Sequence, residues 1–243
     1  MIQSAKSKME TVVSEFLGDL SCYPGWNDWQ RSKARYVLAT HPDFPDHDFD
    51  ISPFNFSEPI KQKHEVPLQY LELVRAADAL AETEYYFRRY PFRDLPVSRC
   101  NHIVNICEMY FSRFYQLCER LKKYLNALNT LATKTHVDVG NTIKQIKKTF
   151  DHELRHRNTI THHETFSSRE TDLLWLYESQ LQDSDQDLKM EVRYLYRQIT
   201  RDWARRVRQK MEVVDPLIES VAKATLEIGD FDIKGDIEKL KEK

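Results

Sequence analysis

Apolar residues recur at steps of three and four along most of the chain. The clearest run is Cys100, Val104, Cys107, Phe111, Phe114, Cys118, Leu121, Leu125 and Leu128. It predicts a long helix with one buried stripe, started near Pro96 and ended before Gly140. A second run, Leu188, Val192, Leu195, Ile199, Trp203, Val207, Met211 and Val214, predicts another long helix from about Asp187. Asp215 can cap and Pro216 suits a first helical position, so a kink or restart is predicted there. Shorter helices are predicted over residues 3–20, 27–40, 67–90 and 141–156. In the third, Leu68, Leu71, Val74, Ala77, Leu80 and Ala81 form the stripe. In the fourth, Ile143, Ile146, Phe150 and Leu154 point inward. Ser167 and Ser168 offer an N-cap for a further helix, "RETDLLWLYESQL". No stretch alternates at the period of a strand. The predicted fold is all-α, a helical bundle with two long helices and several shorter ones.

Residues 41–66 break the pattern. "HPDFPDHDFDISPFNFSEP" repeats Asp-Phe pairs among prolines and has no helical period. Its phenylalanines predict an ordered loop packed on the bundle or a contact surface for a protein partner. The expected organisation is N-terminal helices with this loop (1–95), a helical core (96–228) and a charged C-terminal tail (229–243), whose last dozen residues are expected to fray.

Composition narrows the functional classes. Charged residues make up 30% of the chain and hydrophobic ones 41%, with five glycines, as suits a helix-rich protein. No apolar run approaches the roughly 18–20 residues of a bilayer span. The N-terminus lacks a signal peptide's apolar region, so a cytoplasmic chain without a membrane segment is expected. The net charge of −2 gives no global basic field. Cys22, Cys100, Cys107 and Cys118 form no CxxC pair and read as buried thiols. Trp175 and Trp203 read as core or interface residues, and no GxGxxG, Walker, HExxH or GxSxG motif is present.

The candidate chemistry is concentrated in "DHELRHRNTITHHETF", residues 151–166, which holds four of nine histidines. Within it "RNTITH" sets Arg157 and Asn158 ahead of His162, with His163 next. Arginine holds a phosphate through two parallel charged hydrogen bonds, and histidine moves protons near neutrality. The stripe Phe150, Leu154 continues to Arg157, so Arg157 is expected to face the bundle or a cleft in it. There its charge needs a phosphate or a carboxylate such as Glu164. On a straight helix His162 stands about 140° around from Arg157. The two converge in one chain if the helix breaks near Asn158, which the β-branched run Thr159, Ile160 and Thr161 favours. Otherwise a second subunit must contribute.

This pattern resembles the Rx4-6H signature of the HEPN superfamily, with a polar residue, Asn158, after the arginine. The resemblance covers the motif and its all-α setting, roughly residues 96–225. It implies a helical bundle acting as a metal-independent endoribonuclease, often as a homodimer, in toxin–antitoxin or antiviral defence systems. Arg157, Asn158, His162 and His163 are then the catalytic candidates, RNA is the substrate, and no cofactor or metal is required. A regulatory protein partner is a further implication. Some members of the superfamily have lost catalysis, so the alternative is a non-catalytic binding or dimerisation module.

Three other groups of residues carry candidate chemistry. His152 and His156 share a helix face, but both lie about 200° from Leu154, which predicts a solvated face rather than a metal site. Arg193, Arg197 and Arg201 step by four near Tyr194 and Tyr196, a stripe able to contact RNA or to pair with acids on neighbouring helices. Asp46, His47 and Asp48 match no strong metal-ligand spacing.

Overall fold

The computed structural model describes residues 3–39, 52–88, 96–132, 136–182 and 185–241. Among them are nine helices and no strand, so the fold is all-α. They are α1 (Ala5–Leu20), α2 (Trp26–Ala39), α3 (Glu58–Arg88), α4 (Arg99–Leu131) and α5 (Val139–Thr149). α6 (Asp151–His162), α7 (Arg169–Ser179), α8 (Gln186–Ile228) and α9 (Lys234–Lys241) follow. No helix among the described residues is long and apolar enough to cross a membrane. Asp46, His47, Asp48 and most of the Asp-Phe repeat lie outside the described residues.

The chain divides into two compact units that interleave along the sequence. The first comprises Met1–Leu68, Ala127–His136 and Glu219–Lys243. Its core joins Phe16, Leu20, Trp26, Phe56, Ile60, Ile233 and Ile237. The predicted fraying of the tail is overturned here. Ile233, Ile237 and Leu240 recur at helical spacing, and Ile233 and Ile237 are buried. Burial of such side chains outweighs the loss of freedom at a chain end. Lys63 Nζ ties this segment down through the Asp232 carbonyl and Asp236. Glu219 accepts from the backbone N–H groups of Ala5 and Lys6, satisfying donors that the first turn of α1 leaves open.

α3 begins nine residues before the predicted start and carries Pro67 inside it. Proline removes one helical hydrogen bond, but Ile60 and Val66 in the added turns are fully buried. The buried stripe is also rotated from the predicted one. Tyr70, Leu73, Ala77, Leu80 and Phe87 face inward while Leu68 is exposed.

The second unit comprises Gln69–Asn126 and Val137–Ile218. The α4 seam lies as predicted, with every member but the half-buried Val104 in the core. Its cysteines are free thiols, and burial pushes Cys118 up to about 11, so it stays protonated. Around Trp203 of α8 stand Phe87, Tyr110, Phe111 and Phe166, with ring centroids 5.4–5.8 Å away. Ser168 forms the predicted cap as a capping box with Thr171. Trp175, by contrast, is 61% exposed and not a core residue.

Two predicted joints differ. α8 continues unbroken through Pro216, because Ile218, Val221 and Ala222 continue its buried stripe. The predicted helix over 141–156 is instead two helices that meet at Phe150, whose φ of −106° and ψ of 23° end α5 and start α6.

Phe114 is fully buried in the second unit, at 4.9 Å from the Phe150 ring. Phe114→Ala is expected to lower unfolding free energy by about 3–5 kcal/mol in a denaturant titration. A loss below about 1 kcal/mol would contradict this packing.

Candidate functional site

α6 carries the motif, and its rotation is set by a charge. Glu153 is 1% exposed, whereas Leu154, the predicted inward residue, is half-buried. A carboxylate taken from water requires compensation. Lys210 Nζ lies 3.1 Å from Glu153 Oε1 and an Arg206 nitrogen lies 3.4 Å from it, both from α8. His152 Nδ1 stands 3.7 Å away. Glu153 Oε2 has no hydrogen-bond partner among the described residues. Burial, reinforced by the charge of Glu153, raises the Tyr110 pKa and keeps the phenol protonated.

This rotation brings His156 against the core, while His152 stays exposed, as expected of a solvated face. The His156 ring stacks on Phe111 at 5.0 Å, and the His152 and His156 rings are 4.5 Å apart. Arg206 reaches His152 Nδ1 at 2.8 Å and lies over the Trp203 ring at 4.8 Å. Beside them is a cleft of 350 Å³ walled by Phe111, Phe166 and Trp203. Among the described residues no group of three His, Cys, Asp or Glu side chains is placed to hold a metal ion.

The motif occupies the C-terminal half of α6. Arg157 is half-buried, with its guanidinium 4.0 Å from the Tyr115 ring centroid. It donates to Asn158 Oδ1 at 3.2 Å. No carboxylate pairs with it among the described residues, so the Glu164 alternative is not formed. The favoured break near Asn158 is absent. The threonines stay helical because Thr159 and Thr161 donate to the carbonyls of Arg155 and Arg157, at 3.3 and 2.9 Å. α6 ends after His162, and the backbone N–H groups of His163 and Glu164 both reach the Thr159 carbonyl. His162 and His163 are exposed, 6.2 Å apart. One chain thus puts Arg157 at the rim of its core and His162 in solvent, about 140° around the same helix.

No family model, curated protein or solved structure matches the chain.

The arginine stripe of α8 is displaced from its predicted extent. Arg197 and Arg201 line a cleft of 530 Å³ together with Arg205, Arg208 and, from α3, Arg88. Arg193 is exposed but is not part of that lining. Tyr196 is buried and bonded to His102 at 3.1 Å, which leaves Tyr194, 67% exposed, as the accessible tyrosine. Sequence reasoning also missed the pairing of Glu153 with Arg206 and Lys210. Their available signal was an acid in the Phe150–Ile160 stripe and two cations four apart on α8.

Burial, then the charge of Arg206, lowers the His152 pKa below 6.5. The neutral ring is therefore favoured in the fold. Its contribution to stability is present above pH 6.5 and lost as pH falls through the depressed value. An NMR titration of the His152 ring is expected to show a midpoint below 6.5, and a midpoint at or above it would contradict this environment.

Proposed function

We propose that this chain cleaves RNA without a metal, at a site shared by two copies of itself. Arg157 supports the reading most directly: a half-buried cation at the end of a buried stripe, oriented by Asn158 and Tyr115 and paired with no carboxylate among the described residues. Such a group is set to take an external anion, and a guanidinium matches two phosphate oxygens.

In the proposed reaction the substrate's own 2′-oxygen attacks the adjacent phosphorus and the bond to the 5′-oxygen breaks. The products are a 2′,3′-cyclic phosphate and a 5′-hydroxyl. His162 takes the 2′-hydroxyl proton or delivers one to the leaving oxygen, with His163 as the neighbouring candidate. Arg157 neutralises the charge that builds on the phosphorane, and Asn158 holds the arginine. The unbroken α6 supports a shared site, since it sets Arg157 and His162 about 140° apart in one chain. In a two-fold dimer that brings the C-terminal halves of two α6 helices together, each Arg157 meets the other copy's His162. A helical docking module is the second reading, favoured by the exposed Leu173, Trp175 and Leu176 of α7.

Purified protein incubated with mixed structured RNAs in EDTA is expected to leave cyclic-phosphate ends. Arg157→Ala and His162→Ala, each checked for helicity, are expected to lose about 100-fold or more in rate. Absence of cleavage by the parent would support the docking module. Equal cleavage by all three proteins would remove these residues from the mechanism.

A further inference from the structure

We infer that Arg197, Arg201, Arg205 and Arg208 of α8, with Tyr194 at one end and Arg88 of α3 alongside, form a track for the backbone of single-stranded RNA. This rests on the RNA reading above but concerns a different surface. At 100° per residue the five α8 positions fall within a stripe about 80° wide, and their span is about 21 Å long. Arg193 falls about 40° beyond the edge of that stripe, whereas Tyr194 lies within it just beyond the residues that line the cleft.

Charge makes this surface unusual. The chain as a whole is slightly acidic, yet five guanidinium groups line one cleft of 530 Å³. Among the described residues two carboxylates oppose them. Glu84 is shared by Arg88 and Arg208, and Asp202 pairs with Arg205 at 3.0 Å. Among the described residues Arg197 and Arg201 pair with no acid, and both are exposed. Like charges held together without counter-charges repel, so an anion that spans several of them is bound favourably.

The remaining lining decides the kind of anion. Thr200 and Ala204 complete the cleft, so guanidinium groups are nearly all the polar surface that it presents. Phosphates are the matching feature of a nucleic acid, and recognition there is independent of sequence. Tyr194 lies one turn before Arg197 with most of its ring in solvent. A base stacks on such a ring when it is unpaired, which selects a single strand over a duplex.

The test uses the full chain carrying His162→Ala, so that binding is measured without cleavage. A fluorescently labelled unstructured RNA is titrated in EDTA at several salt concentrations. The double variant Arg197→Gln, Arg201→Gln is expected to bind about tenfold or more weakly, with a log–log salt slope smaller by about 1.4. Tyr194→Ala is expected to weaken single-strand binding by about fivefold or more while leaving duplex binding unchanged. Arg193→Gln is the control, expected to stay within about twofold of the parent. The inference is overturned if the double variant binds like the parent, if Arg193→Gln loses as much, or if duplex RNA binds as tightly as single strands. It is also overturned if polyglutamate displaces the RNA as well as unlabelled RNA does, which would mark an acidic protein surface as the occupant. Failed cleavage by the parent with this binding pattern intact would remove the catalytic reading and leave the track. Cleavage without the pattern would do the reverse.

Discussion

Glu153 is the constraint on which the second unit turns. Its carboxylate is buried, and its charge is balanced by Arg206 and Lys210, which stand four apart on α8. Removing one partner from such a cluster is more costly than the cluster is stabilising, because it strands a charge away from water. Rotation of α6 is therefore fixed by an ionic contact as much as by its apolar residues. Turning Glu153 inward brings His156 onto Phe111 and places Arg157 at the rim beside Tyr115. It also turns His162 outward.

The same contact links the two surfaces of functional interest. α8 supplies Arg206 and Lys210 on one side and the arginine stripe on another. Its aromatic anchor, Trp203, is enclosed by rings from α3, α4 and the segment after α6. That segment is short and held by a hydrogen bond from the Phe166 N–H to Glu108. α6 is thus held at its core face and just beyond its C-terminus, while His162 at its end stays open to solvent.

Much of this was legible in the sequence. The α4 seam and the Ser168 cap could be read because each depends on neighbours along the chain. The misread features depend on partners distant in sequence. Leu154 was favoured over Glu153 because hydrophobicity alone does not reveal a pair of cations on another helix. Pro67 and Pro216 looked like boundaries, yet the burial of Ile60 and Ile218 carries both helices through. The C-terminal segment looked too charged to dock, but its few apolar residues share one face. Within the site, the motif residues could be named but not their relation, since the back-bonded threonines that keep α6 whole are also good helix breakers. Arg193 was grouped with Arg197 by counting in fours, whereas the surface follows the drift of a helix with 3.6 residues per turn.

The central claim is that an intact, Glu153-anchored α6 separates Arg157 from His162 in one chain and completes the site across two. Mixing the inactive Arg157→Ala and His162→Ala proteins, with subunit exchange allowed, tests it directly. A mixed dimer then holds one site with both native residues and one with neither. RNA cleavage is expected to return to about a quarter of the parent rate, since about half the dimers are mixed and each has one working site. If the parent cleaves RNA and the exchanged mixture stays inactive, each site is built within a single chain and the account is contradicted.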